Sequence, residues 1–190
     1  MPAPDVLKAK VCLVGEAAVG KSSLVRRFVD DRYDARYFPT LGAKVSKTEI
    51  PVRVAGRDVT VVLTVWDVMG ERTFRGLMAD AWLSRVQGVL AVADVTHPST
   101  FDAVPEWVAT ARSVSRNVPT ILLGNKVDLA AGRADETLLT SAADLGLPWW
   151  ATSAKTGRGV HGAFRSLAEA VALGNLPPTT NARDPIAVAA

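Results

Sequence analysis

The chain has 190 residues, one domain's worth and enough to bury a substantial core. Hydrophobic residues make up 48 % and charged residues 22 %, an ordinary soluble composition, and no apolar run approaches the ~20 residues that span a bilayer. The net charge of +3 is scattered (Arg26, Arg27, Lys44, Arg72 and Arg112 among others) between acidic residues, which reads as a solvated surface and not as a nucleic-acid footprint. The single cysteine, Cys12, leaves no disulfide to form within the chain and fits a reducing, intracellular compartment. His97 and His161 lack metal-ligand spacing and read as surface or capping residues.

In chain order, residues 1–8 read as an N-terminal extension, 9–174 as one domain and 175–190 as a flexible tail. A short apolar strand over 11–14 leads into Gly15-Glu16-Ala17-Ala18-Val19-Gly20-Lys21-Ser22, and a helical pattern over 23–29 follows. Strand, GxxxxGKS loop and helix make a phosphate cradle. Successive loop N–H groups form an anion-binding nest, and the helix adds its positive dipole end. Lys21 can then reach the β- and γ-phosphates and the Ser22 hydroxyl can hold Mg²⁺, with Ser23 beside it in the same site.

A polar segment over 30–40 precedes two strands, 43–54 and 59–66, joined as a hairpin by a turn over 55–58. A stretch from Asp67 runs into a helix ending near Ser84, and 88–93 reads as a strand buried on both faces. The chain breaks at 96–100, and a helix carries Glu106 onward, with Pro105 tolerated only at its start. A strand over 120–123, a helix over 135–143 and a short strand over 148–151 follow. A closing amphipathic helix over 159–172 places Val160, Ala163, Phe164, Leu167, Ala168 and Val171 on one face. Strands alternating with helices predict an α/β fold, a mostly parallel sheet covered on both faces, with the ligand at the carboxyl ends of the strands.

A phosphate loop alone leaves ATPase, kinase and GTPase open. Asn125-Lys126-Val127-Asp128, directly after a buried strand, decides for guanine. The Asp128 carboxylate can accept charge-assisted hydrogen bonds from guanine N1–H and its 2-amino group, whereas adenine would leave it unpaired. Lys126 can lay its stem along the base, and Asn125 can tie this loop to the phosphate loop. In Thr152-Ser153-Ala154-Lys155 the Ala154 N–H could donate to guanine O6.

This combination resembles the small GTPases of the Ras superfamily, most closely the Rab-like branch, over residues 9–174. The resemblance implies a P-loop fold with a six-stranded, mostly parallel sheet, one antiparallel edge strand and about five helices. It implies GTP and GDP as ligands, with Mg²⁺, and hydrolysis of GTP as the reaction. Tyr37-Phe38-Pro39-Thr40 looks like switch I, where Thr40 would meet Mg²⁺ and the γ-phosphate; Tyr33 would pack edge-on against guanine. Asp67, at the start of a switch II-like segment, would hold Mg²⁺ through a water, and the Gly70 N–H would contact the γ-phosphate. Effectors, exchange factors and GTPase-activating proteins would read residues 33–42 and 67–84.

The chain also departs from the family pattern. Ala17 and Ala18 stand where glycines or a serine are usual. Either a methyl fits, because these backbone angles need not be left-handed, or the Ala17 methyl crowds an activating protein's arginine. Glu71 falls at the position of the water-orienting glutamine, with Phe74 keeping the register; another alignment deletes the glutamine. A carboxylate lacks the amide donor, so slow hydrolysis is expected, with a GTP-binding scaffold of negligible turnover as the alternative. Val68 and Met69 replace smaller residues, and Ala151 stands where glutamate is usual. The tail carries no cysteine for prenylation, so a cytoplasmic, soluble protein without a lipid anchor is expected.

Overall fold

The structure, a computed structural model, describes residues 5–36, 39–70, 81–130 and 134–175. Its strands are β1 (Asp5–Val14), β2 (Ala43–Val54), β3 (Arg57–Val68), β4 (Gly88–Asp94), β5 (Thr120–Asn125) and β6 (Trp149–Ala151). They form one six-stranded sheet in the order β2-β3-β1-β4-β5-β6. The β2–β3 pair is antiparallel and places β2 at the edge; the other pairs are parallel. The α-helices of the described residues are α1 (Lys21–Asp30), the single turn α2 (Ser99–Asp102), α3 (Val104–Val114), α4 (Ala134–Leu145) and α5 (Val160–Asn175), with residues 81–83 also helical and a 3-10 turn at Val127–Leu129. The α/β class, the parallel sheet and the antiparallel edge strand agree with the sequence reading.

Burial explains the order of strands. Every residue of β4 and β5 is buried, which is why these strands read as unbroken apolar runs and not as alternating ones. One core lies on the α1/α5 face, where Leu13, Leu63, Leu90 and Leu123 meet Leu24, Phe164 and Leu167. The second lies on the α3/α4 face, where Cys12, Val89 and Leu122 meet Trp107 and Leu138. The predicted face of α5 is buried throughout, and Phe164 stacks on Phe28 of α1 with ring centroids 4.0 Å apart. That contact fixes α1, and so the start of the phosphate loop's helix, against the sheet.

Three boundaries differ from expectation. β1 begins at Asp5 and not at residue 11, because Leu7 and Ala9 alternate inward with Lys8 and Lys10 outward and pair along β3 from Val59. The hairpin turn is only Ala55-Gly56, since Val54 already pairs with Arg57; both turn residues have positive φ, 48° and 75°. Such a turn matches the strand twist. The helical turn α2 starts inside the break at 96–100 and runs past it to Asp102, and Pro105 lies in the first turn of α3 as its missing N–H requires. Cys12 is fully buried, its Sγ 3.3 Å from the Trp82 carbonyl, and burial pushes the thiol up to about 12, leaving it inert. Among the described residues no helix is long and apolar enough to cross a membrane.

Candidate nucleotide and metal site

The phosphate loop, Asp67 and the two base motifs sit at the carboxyl ends of β1, β3, β5 and β6, and Thr40 reaches the same end of the sheet just before β2 begins. From β1 the chain turns at Gly15 (φ 139°), whose missing side chain lets the loop lie on the Val92 carbonyl of β4. Gly20 (φ 100°) ends the loop against the Asn125 amide and caps α1; a Cβ at either position would overlap its neighbour. Lys21 folds back over the loop, and its Nζ donates to the carbonyls of Gly15 and Glu16, both at 2.8 Å. Burial pulls its pKa down to about 8, against the upward pull of the Asp67 and Glu16 carboxylates.

Ala18 corrects the sequence reading. Its φ is 62°, in the left-handed region, where a β-carbon costs roughly 1–2 kcal/mol. The loop keeps the angle because it aims the Ala18 carbonyl at Lys126 Nζ, 2.8 Å away. Ala17 has no positive φ, and it lines the phosphate-side cavity.

The oxygen donors expected around a metal converge below that loop. Ser22 Oγ lies 2.9 Å from Thr40 Oγ1. Asp67, at the end of β3, is 2 % exposed, and its Oδ1 is the buried side-chain atom without a hydrogen-bond partner among the described residues. Burial pushes this carboxyl above the ordinary range, although the Ser22 hydrogen bond and the charges of Lys21, Lys44 and Arg26 oppose the shift. Two hydroxyls and a buried carboxylate oxygen without a partner among the described residues are a hard donor set of the kind that fits Mg²⁺, and phosphate oxygens would complete the shell. The β2–β3 ladder runs on to Ala43 and Val68, and the Met69 N–H then donates to the Gly42 carbonyl at 3.0 Å. This zips the segment after Thr40 to the segment before Gly70. Gly70 itself packs on Lys21 Nζ and the Glu16–Ala17 backbone so closely that no Cβ would fit.

Two adjoining cavities of about 180 and 170 Å³ share Gly20, Ser23, Tyr33, Ala35 and Lys126 in their walls. Ala17, Ala18, Lys21, Ser22, Thr40 and Gly70 line only the first; Asn125, Asp128, Ala154 and Lys155 line only the second. A phosphate end and a base end therefore meet across Tyr33 and Lys126. At the base end Asn125 is buried, and its Nδ2 donates to the Val19 carbonyl of the phosphate loop at 2.9 Å. Its Oδ1 accepts from Thr152 Oγ1 and from the Ala154 N–H, each at 3.3 Å. The Ala154 N–H, expected to face O6, thus has a long contact inside the protein. Ser153 lines neither cavity; its hydroxyl donates to Asp128 Oδ1 at 2.6 Å and orients that carboxylate.

Some contributors were not foreseen. Arg27, read as one of many surface charges, donates through Nε to the Ala154 carbonyl and through Nη2 to the Lys155 carbonyl, both at 2.8 Å. It clamps the base loop onto α1. Asp94 pairs with Lys126 Nζ at 2.7 Å; its place opposite Asn125 in the β4–β5 register was the available signal. Burial raises the Asp94 carboxyl, and the bonds from Lys126 and Thr96 outweigh it, leaving the pKa below the ordinary value. Trp107 Nε1 donates to the Glu16 carboxylate at 3.2 Å, tying α3 to the phosphate loop. Glu71, Phe74 and Tyr37 lie outside the described residues.

Comparison with known proteins meets this geometry from another side. The model of the Ras family matches residues 10–173. The maize GTP-binding protein YPTM2 is 34 % identical over 180 residues, covering 92 % of this chain and 86 % of its own. The Ras-related protein RABD2a of Arabidopsis thaliana is 34 % identical over 182 residues, covering 93 % and 87 %. The Ras-related protein RIC1 of Oryza sativa subsp. japonica is 34 % identical over 184 residues, covering 94 % and 88 %.

Proposed function

Because the chain belongs to the Ras family as a Rab-like small GTPase, we propose that it is a GTP/GDP switch with a slow hydrolysis step. The observation that carries the reading is the pair of adjoining cavities, with Lys21, Ser22 and Thr40 in the wall of one and Asp128 in the other. In this reading Asp128, oriented by Ser153, takes guanine N1–H and the 2-amino group, and Tyr33 flanks the base. Lys21 lies against the β- and γ-phosphates, and the loop N–H groups of residues 16–22 donate to the phosphate oxygens. Mg²⁺, held by Ser22 and Thr40 and through water by Asp67, would neutralise charge between the β- and γ-phosphates. Thr40 and Gly70 answer the γ-phosphate, so the two segments joined at Gly42 and Met69 report on its presence together.

Hydrolysis is attack of water on the γ-phosphorus, with cleavage of its bond to the β–γ bridging oxygen and release of GDP and inorganic phosphate. Glu71 orients that water in place of an amide. It can accept the water's proton but offers no donor to the transition state, and its own negative charge opposes that of the phosphate. Single-turnover GTP hydrolysis tests this: Glu71→Gln should raise the rate constant by about 10²-fold. An unchanged rate removes Glu71 from the account.

A second reading, a GTP-binding scaffold with negligible turnover, rests on Met69. Its packing on the α3/α4 core and its bond to Gly42 pin the entrance to the second switch. Phosphate release followed over hours, with and without a cell extract, separates the two. Partners would dock on residues 33–42 and 67–84, where Leu41 is 87 % exposed.

A further inference from the structure

Arg36 offers a cation that the phosphate loop does not. It lies in the segment between Tyr33 and Thr40, and it lines the phosphate-side cavity with Lys21, Ser22 and Gly70 while contributing nothing to the base-side cavity. Its side chain is 77 % exposed, and the guanidinium forks onto Asp34, with Nη2 to Oδ2 at 2.9 Å and Nε to Oδ1 at 3.1 Å. The Arg36 N–H donates to the same carboxylate at 2.9 Å, so Asp34 holds the residue locally. Arg26 of α1, in the wall of the same cavity, stands 3.9 Å from Asp34 Oδ2.

We propose that Arg36 is a phosphate-reading residue supplied by the chain itself, exchanging the Asp34 carboxylate for terminal phosphate oxygens when a nucleoside triphosphate is bound. The proposal rests on the guanine-nucleotide reading above and names a residue for it. Three physical features favour the exchange. The Arg36 side of the ion pair is 77 % exposed, so solvent screens the pair and replaces its hydrogen bonds when the arginine moves. The planar fork that takes a carboxylate takes a phosphate with the same two parallel N–H donors. Arg26 already lies beside Asp34, so the carboxylate keeps a cationic neighbour when Arg36 leaves. A triphosphate carries a further unit of negative charge at its far end, which lies on the Lys21, Thr40 and Gly70 side of the cavity. The arginine should therefore separate triphosphate from diphosphate.

The test measures the affinities of GDP and of a slowly hydrolysed GTP analogue for the whole chain with Mg²⁺. Arg36→Ala should weaken the triphosphate analogue by about tenfold or more, the worth of a charge-assisted contact, and GDP by less than about threefold. Asp34→Ala releases the same arginine from its carboxylate and should keep or widen the preference for triphosphate. Equal losses for both nucleotides in Arg36→Ala, or no loss for either, overturn the proposal. So does an Asp34→Ala protein whose preference falls to the Arg36→Ala level, because the ion pair would then be scaffolding for the loop. A wild-type chain that binds neither nucleotide fails at the earlier step, and that result is distinct from both.

Discussion

At the base end of the site the protein satisfies itself. Asn125, Thr152, Ser153 and Asp128 exchange hydrogen bonds, and Arg27 closes the loop behind them. At the phosphate end Asp67 is buried with an oxygen that has no partner among the described residues, Lys21 carries its charge in a dry place, and Ala18 holds a left-handed angle. The contrast separates two jobs. A flat, neutral base is recognised by donors and acceptors set in advance, so rigidity there is specificity. Phosphate and Mg²⁺ bring large charges, so an arrangement unfavourable without them becomes favourable with them, and the segments at Thr40 and Gly70 feel the difference.

The largest expected effect breaks the base end. Asp128→Ala removes the carboxylate that Ser153 aims, and competition between GDP and ADP should show guanine preference falling by about 10⁴-fold. A variant that still rejects ADP would mean that selectivity lies elsewhere in the loop.

Next comes the pH response of the phosphate end. Lys21 stands at about 8 in the folded chain against an ordinary 10.5. The unfolded chain therefore binds more protons in between, and the Lys21 contribution to stability is full above 10.5 and lost as pH falls through 8. Urea unfolding of the nucleotide-free protein should show stability rising between pH 8 and 9, by at most about 1.4 kcal/mol per unit. Above 9 the Cys12 thiol, raised from 9.0 to about 12, acts with the opposite sign. Loading with GDP and Mg²⁺ should flatten the rise, because a phosphate favours the charged amine.

The smallest effect is local. Ala18→Gly relieves the left-handed angle and should raise the melting temperature by about 2–4 °C, roughly 1 kcal/mol for a chain of this size. No change would mean that the extra freedom of glycine in the unfolded chain offsets the relief.

How legible all this was depended on the range of the signal. Local patterns carried the sheet: the apolar runs of β4 and β5 and the face of α5 were read to within a few residues. The loop motifs at Lys21, Asn125 and Asp128 announced their chemistry because each residue type has few other reasons to stand at that spacing. Arg27 was missed because its partners, the Ala154 and Lys155 carbonyls, lie more than a hundred residues away and are backbone groups without a sequence signature. Asp94 hid in the same way, since only the β4–β5 register brings it to Lys126. The angle of Ala18 was misjudged because an alanine there is an exception to the conformational rule, held by a bond from Lys126.

The contrast between the two ends stands or falls most directly on Asp67. The measurement is the melting temperature of Asp67→Asn beside wild type, first nucleotide-free and then loaded with GDP and Mg²⁺. Without ligand the variant should melt higher, because a buried charge whose Oδ1 lacks a partner among the described residues has been removed, at a gain of roughly 1–3 kcal/mol. With ligand it should melt lower, because the carboxylate that answers the metal is gone. A variant that melts lower in both states would show that Asp67 stabilises the fold by itself, and that the phosphate end is not held in a state its ligands resolve.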